Sequence, residues 1–449
     1  METEKLLEVP DPVSVRRVAL ASSIGATIEW YDFFIYGTAA ALVFNKLFFS
    51  NLDPTTGRLV AFAAFGVGYL ARPIGSLIFG HFGDRVGRKK MLILTLFIMG
   101  LGTIVIGLLP TYSAIGTWAP ILLVLMRILQ GIGVGGEYGG AVLMAVEYAP
   151  KGRRGFFGSW PQTGVPAGLL LASAAFALLS LMPNDAFLAW GWRVPFLISV
   201  FLVAVGLYIR LQVLETPAFT RVREAQEEVK VPIVTLLRTQ PKELFLGMGT
   251  RWIEGLTFNA YGVLAVSFIV NNLGLSRQTG LVGVLIASGF GMVLIPTFGS
   301  LSDRFGRKRI YNGGVIATAL LVFPAFWLIQ RGNTALVWIG LVVALGIAYS
   351  AIYAPLAAFW AELFDTKVRY TGVGSIYQFS GIYASGLTPL IGALLITANG
   401  GRPWYLAGYI AVVAVISLLC AKALPETYER DIFPVLPIAD APPIDQRNS

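Results

Sequence analysis

Four stretches of this chain, 91–110, 194–209, 279–299 and 404–419, are apolar throughout and carry no charge. Each approaches the ~20 residues that a helix needs to cross the hydrocarbon of a bilayer. A backbone in hydrocarbon must satisfy its own hydrogen bonds, so runs of this kind are helices. Composition agrees. At 449 residues a soluble chain would hold about three domains, yet charged residues make up only 13% against 56% apolar. That is too little charge to cover three soluble surfaces.

Less pure runs of the same kind bring the total to twelve spans, near 18–45, 58–82, 90–110, 117–147, 155–182, 193–211, 243–271, 278–301, 308–330, 335–362, 369–397 and 402–424. The fold class is an all-α membrane protein. The longest polar stretch, 212–242, divides the spans six and six. The organisation is a tail (1–17), a first half (18–211), a central loop (212–242), a second half (243–424) and a second tail (425–449). The charged first residues and the full-length first span argue against a cleavable signal peptide. The lone Cys420 allows no disulfide framework.

The net charge of +9 raises nucleic acid as a partner, but its distribution points elsewhere. Of the 34 basic residues, 25 fall on the tails and the loops that share their side. Six lie on the opposite loops, and Arg72, Arg127 and Arg251 lie within spans. By the positive-inside rule both termini are cytoplasmic, in a cell (plasma or inner) membrane, with some attraction to anionic lipid.

The halves repeat. "GHFGDRVGRKK" (80–90) follows span two, and "GSLSDRFGRKR" (299–309) follows span eight, 219 residues later. "GSWPQ" (158–162) and "GSIYQ" (374–378) open spans five and eleven. Two pseudo-symmetric six-helix halves follow.

The repeated loop resembles the signature of the major facilitator superfamily, and Arg127-x-x-Gln130-Gly131 resembles its second motif. "EWYDFFIYG" (29–37), "ARPIGSLIFGHFGDRVGRKK" (71–90), "RILQGIGVGGEYGG" (127–140) and "GWRVPF" (191–196) are together similar to the metabolite:proton symporters. These carry shikimate, 2-oxoglutarate, citrate, and proline or betaine. The resemblance implies the major facilitator fold, alternating access, and a central cavity lined by spans one, four, seven and ten. It also implies a cytoplasmic gate in which Asp84 meets the start of span eleven and Asp303 the start of span five. Gly80, Gly83, Arg85, Gly87, Arg88, Arg304, Gly306 and Arg307 complete the two loops; the bland alternative is that they only anchor topology.

Charge facing lipid costs at least ~2.5 kcal/mol per residue, so in-span charges face a cavity or a partner. They are Glu29, Asp32, Arg72, Arg127, Glu137, Arg251 and Glu254, and six of the seven fall on spans one, four and seven. Glu29, Asp32 and Tyr36 share one helix stripe, as do Arg251, Glu254 and Tyr261; Arg127, Gln130 and Glu137 share one broad face. Span ten contributes Tyr349 and Tyr353 and no charge. Carboxylates in such a cavity can exchange protons near neutral pH, so Glu29, Asp32, Glu137 and Glu254 are proton-coupling candidates. Arg72, Arg127 and Arg251 keep their charge and present forked donors to a carboxylate. With Gln130, Tyr36, Gln162, Asn259, Tyr261, Tyr353 and Gln378 they are the substrate-binding candidates. Each charge could equally be a static pair that docks helices. The glycines of 131–140 read as helix packing and bending, not a nucleotide loop, because no strand precedes them.

The expectation is a secondary active transporter, not an enzyme. It imports a small organic acid or zwitterion with protons, as a monomer in membrane lipid, without cofactor, metal or nucleic acid. The alternatives are a proton-coupled exporter and a membrane ligand sensor that does not transport.

Overall fold

The computed structural model describes residues 12–86, 88–212, 232–365 and 368–432; the side chains of 80–86 and 88–92 are among those it leaves undescribed. The outermost parts of both tails and most of the central loop therefore lie outside the described residues.

Among the described residues every regular element is helical, and the helices form twelve columns. Column one runs Pro12–Ala39, Ala40–Phe44 and Asn45–Leu47; two is Pro54–Val86; three is Arg88–Leu108; four is Trp118–Val134 with Tyr138–Glu147; five is Arg154–Leu179; six is Val194–Gln212. Column seven runs Pro241–Asn259, Ala260–Leu264 and Ala265–Asn271; eight is Arg277–Phe305; nine is Arg307–Gln330. Ten runs Thr334–Leu341, Val342–Ala348 and Tyr349–Leu363; eleven runs Arg369–Gly381, Ile382–Gly386 and Thr388–Ala398; twelve is Trp404–Ala423. Ten of these are long and apolar enough to cross a membrane. Column three shows Ile93–Leu108 as a shorter apolar helix, and column one is the one that carries Glu29 and Asp32.

The packing is inside out relative to a soluble protein. Leu101, Leu125, Phe201, Leu320 and Val412 face outward, while Arg72, Arg127, Arg251 and Arg307 are among the largest fully buried side chains. Lipid solvates the first group and only the protein can solvate the second.

The two halves repeat in packing as they do in sequence. In the first half, column one packs on five and six, and four packs on two and three, with three also on six. In the second half, seven packs on eleven and twelve, ten on eight and nine, and nine on twelve. Columns one and seven each contain a five-residue π-helical turn, Ala40–Phe44 and Ala260–Leu264, within one residue of the repeat spacing. Column five on eight and column two on eleven join the halves, a pair that the repeat exchanges one for the other, and columns four and ten add contacts across the same seam.

Helical spacing predicts Arg127, Gln130 and Glu137 on one broad face of one helix. Column four instead stops at Val134 and restarts at Tyr138, so Glu137 lies in the break between the two helical segments. The cause is the close approach of column two. A Cβ on Gly135 would stand 2.7 Å from the Ser76 backbone nitrogen, and one on Gly131 would stand 2.9 Å from Ala71 Cβ. The glycines let two backbones touch, and a glycine-rich segment opens its helix at low cost.

Column five meets column one in the same way, since a Cβ on Gly168 would lie 2.6 Å from the Tyr31 nitrogen. Gly168→Val should therefore lower the melting temperature in detergent by several degrees, the effect of overpacking by ~1–3 kcal/mol. Gly408→Ala, where nothing lies within 4 Å of the new Cβ, should leave it unchanged. Equal thermal-shift curves for both variants would remove the close-approach account.

Candidate functional site

The buried charges converge between the halves. Arg127 lies over the rings of Phe33 (3.9 Å to the centroid), Tyr36 (4.3 Å) and Phe65 (4.9 Å). Arg72 lies over Tyr69 (4.1 Å), Phe33 (4.3 Å) and Trp30 (5.4 Å). The two guanidiniums thus share Phe33. Ring faces offset part of the loss of hydration, by ~2 kcal/mol or more per desolvated pair. They leave the in-plane N–H groups unused. Arg127 donates from Nη1 to Gln130 Oε1 at 3.1 Å and from Nε to the Phe65 carbonyl at 3.5 Å. Its Nη2 has no partner, and neither have Nε and Nη2 of Arg72.

The second half is wired differently. Arg251 is ion-paired to Glu254 one turn on, and the Tyr349 hydroxyl donates to the same carboxylate at 3.0 Å. Arg251 also reaches the Ser385 hydroxyl at 3.4 Å and lies 4.2 Å over the Tyr377 ring. Its charge is neutralised within its own column.

Asp32 has no exposed surface. Ser199 donates to its Oδ1 at 2.5 Å, and its Oδ2 has no partner. Glu29 lies within electrostatic reach of both Arg72 and Asp32. Glu137 is buried at the column-four break. The Tyr36 hydroxyl, beside Arg127, and the Tyr261 hydroxyl and Asn259 Oδ1 of column seven are also buried without hydrogen-bond partners. Gln162 faces Tyr138, and Tyr353 faces Tyr377. Tyr261 is stacked on Phe326 of column nine at 5.0 Å.

Gln378, a substrate candidate in the sequence, is used otherwise. Its Nε2 donates to the Gly135 carbonyl at 3.0 Å and the Val134 carbonyl at 3.4 Å, across the two halves. The Tyr370 hydroxyl reaches the Gly136 carbonyl at 3.2 Å, and Tyr138 stacks on Tyr377 at 3.4 Å. The carbonyls at the column-four break thus contact column eleven.

The end carrying the repeated loops is closed. Asp303 Oδ1 and Oδ2 accept from the backbone nitrogens of Gly155 and Phe156, each at 2.8 Å, so it caps the start of column five. Arg307 holds Asp303 at 2.8 Å and forks onto Glu362 with two bonds of 3.1 Å. Column ten therefore does carry a charge, contrary to the sequence reading: Glu362, fully buried at its end. Arg369 bridges to Glu147 at 3.2 Å across the halves. Gly306 makes the turn at φ +96°, and Arg304 is exposed beside Phe156 and Pro296. In the first loop, the side chains of Asp84, Arg85 and Arg88, the surroundings of Gly80 and Gly83, and all of Gly87 lie outside the described residues.

Sequence reasoning missed Thr103, Ser199, Ser385, Glu362 and the aromatic cage of Phe33, Tyr69 and Tyr377. Ser and Thr are ordinary in apolar helices and aromatics read as filling. Glu362 alone left a signal, as a carboxylate at the end of a span opposite a known arginine loop.

Residues 18–231 match the family model for sugar (and other) transporters, and 247–435 match that of the major facilitator superfamily. The chain is 40% identical over 92% of its length to the shikimate transporter of Escherichia coli K12, covering 95% of that protein. It is 36% identical over 96% of its length to the proline/betaine transporter of the same strain, covering 87% of it. The chain belongs to the major facilitator superfamily. The xylose transporter XylE of E. coli, in a partially occluded inward-open form, shares the fold: TM-score 0.71 at 19% identity, over 93% of this chain and 99% of that one. As a superfamily member the chain is a multi-pass membrane transporter, not an enzyme.

Removing the Asp303 cap weakens the closure of the loop-bearing end. A helix cap is worth ~1 kcal/mol, so Asp303→Ala should speed alkylation of a cysteine at Phe157, in a Cys420→Ser background, about fivefold. Unchanged labelling would show that Asp303 carries no closure energy.

Proposed function

We propose that this transporter imports a small organic acid anion together with protons by alternating access. The observation that carries the reading is the pair Arg72 and Arg127: two fully buried guanidiniums of one half, sharing Phe33 and keeping unpartnered N–H groups. A permanent cation with N–H groups left over is set to receive a carboxylate from a ligand. The self-neutralised Arg251–Glu254 pair of the second half would add shape and hydroxyl contacts without a second anion site. The names of the relatives, shikimate and proline/betaine transporters, bracket the substrate as a small carboxylate or zwitterion.

Asp32 is the coupling acid in this reading. It is buried, it makes no ion pair, and one carboxyl oxygen has no donor. An ionised carboxylate so placed costs several kcal/mol, and the neutral acid does not. Proton binding outside would ready Arg127 for substrate. Release of both inside would let the empty carrier return. Asp303 and Asp84 act as the paired gate of the cytoplasmic side, with both termini cytoplasmic, the halves at 18–211 and 243–424, and a single chain sufficient without cofactor.

In proteoliposomes with an inward proton gradient, a panel of mono- and dicarboxylates with betaine beside them tests the reading. A carboxylate should accumulate, more as external pH falls, and a protonophore should abolish accumulation. Arg127→Lys should raise its KM about tenfold or more, because an ammonium cannot replace a fork. Asp32→Asn should keep exchange and lose accumulation. Accumulation of betaine alone, or only against an outward gradient, would overturn the proposal.

A further inference from the structure

Asp32 and Arg127 do not touch, yet a chain of polar groups runs between them through column three. Arg127 Nη1 donates to Gln130 Oε1 at 3.1 Å, and Gln130 Nε2 donates to Thr103 Oγ1 at 2.7 Å. Thr103 also faces the Asp32 carboxyl. Thr103, Asp32, Arg127 and Gln130 are all buried. The neighbouring Gly102 makes the reach possible, since a Cβ there would lie 2.9 Å from Gln130 Cγ.

The direction of the bonds decides what the chain can do. Arginine can only donate, and an ionised carboxylate can only accept. An amide and a hydroxyl can each do both. Arg127, Gln130, Thr103 and an ionised Asp32 therefore align head to tail, each donating to the next. Such chains polarise one another and strengthen in a low dielectric. Thr103 has one hydroxyl proton, which here goes to the Met99 carbonyl at 3.1 Å. The Asp32 carboxyl is within its hydrogen-bonding reach as well, so the last link is made or given up by a turn of the hydroxyl.

We propose that Thr103 is a positioning residue that couples the protonation of Asp32 to the grip on Arg127, through Gln130. When Asp32 gives up its proton to water, the Thr103 hydroxyl turns from Met99 to the carboxylate. The completed chain then strengthens the bond from Arg127 to Gln130, which is already present with Thr103 turned to Met99. When a proton returns to Asp32, Thr103 turns back, that reinforcement is lost, and Arg127 exchanges Gln130 for a substrate carboxylate. The two charges are coupled without an ion pair, so neither has to cross the cage of Phe33 and Tyr36. The other groups that face Asp32 are Glu29 and Tyr31 from its own column and Ser199 from column six. Ser199 holds Oδ1 in this arrangement, and the turn of Thr103 requires it to make no change.

This inference rests on Asp32 as coupling acid and Arg127 as anion binder, and one set of counterflow measurements separates the two. KM is read from pH 5 to 9. In the unaltered protein it should rise about tenfold with pH, the factor that one charge-assisted hydrogen bond supplies. Thr103→Val keeps the shape and removes the hydroxyl, so KM should vary less than about twofold, while Thr103→Ser should restore the rise. Gln130→Met breaks the chain elsewhere and should flatten the profile in the same way, which covers the case that the valine variant does not fold. A Thr103→Val or Gln130→Met protein with the full rise, or a Thr103→Ser protein without it, overturns the relay and leaves the functional reading intact. An Asp32→Asn protein with the full rise overturns that reading instead.

Discussion

A guanidinium in the middle of a bilayer must be solvated by protein, and Arg127 shows how much structure that one requirement commands. Its faces are covered by Phe33, Tyr36 and Phe65, which fixes columns one and two against column four. Its edge is held by Gln130, which brings in column three through Thr103. The Phe33 ring then serves Arg72 as well. Two permanent cations and five aromatic rings thus define the interior face of the first half. Aliphatic packing alone would not, because lipid tails compete equally well for leucine.

The second half starts from the same ancestral plan and solves the charge problem internally. Arg251 and Glu254 are three residues apart on one column, and Tyr349 completes the carboxylate. The result is an asymmetric centre inside a symmetric scaffold. One wall offers the unpartnered donors of two arginines, and the other offers rings, hydroxyls, amides and an arginine already paired to Glu254. The asymmetry suits a ligand with one charged end and one polar, uncharged end.

Between the halves the contacts are of a kind that can be remade. Near the centre they are ring on ring, Phe34 on Phe258 and Tyr138 on Tyr377, together with the Gln378 amide on the Val134 and Gly135 carbonyls. At the loop-bearing end they are charged and directional: Asp303 on two backbone amides and Arg369 on Glu147. Such bonds are individually worth ~1–3 kcal/mol, strong together and separable in turn. Glycine at the backbone crossings keeps the surfaces smooth enough to move. Rigid halves with a polar, breakable seam are what a rocking carrier needs.

The sequence by itself determined the class and the plan. Twelve apolar runs, the asymmetric lysines and arginines and the repeated GxxxDRxGRK loop leave no other architecture, because hydrocarbon tolerates only self-satisfied helices and expels unpaired charge. It also named Asp32, Arg72, Arg127 and Arg251, since charge in a span is conspicuous. Tertiary structure decided their relations. Helical spacing placed Glu137 with Arg127, but the approach of column two to Gly131 and Gly135 broke that helix. It made Glu254 the partner of Arg251, while Asp32 was left without a cation. Gln378 became a seam contact. Thr103 and Ser199 were invisible because a hydroxyl in an apolar helix gains meaning only from what another column brings within about 3 Å of it. Spacing along one helix is set by the backbone, whereas pairing across helices is set by which backbones can touch.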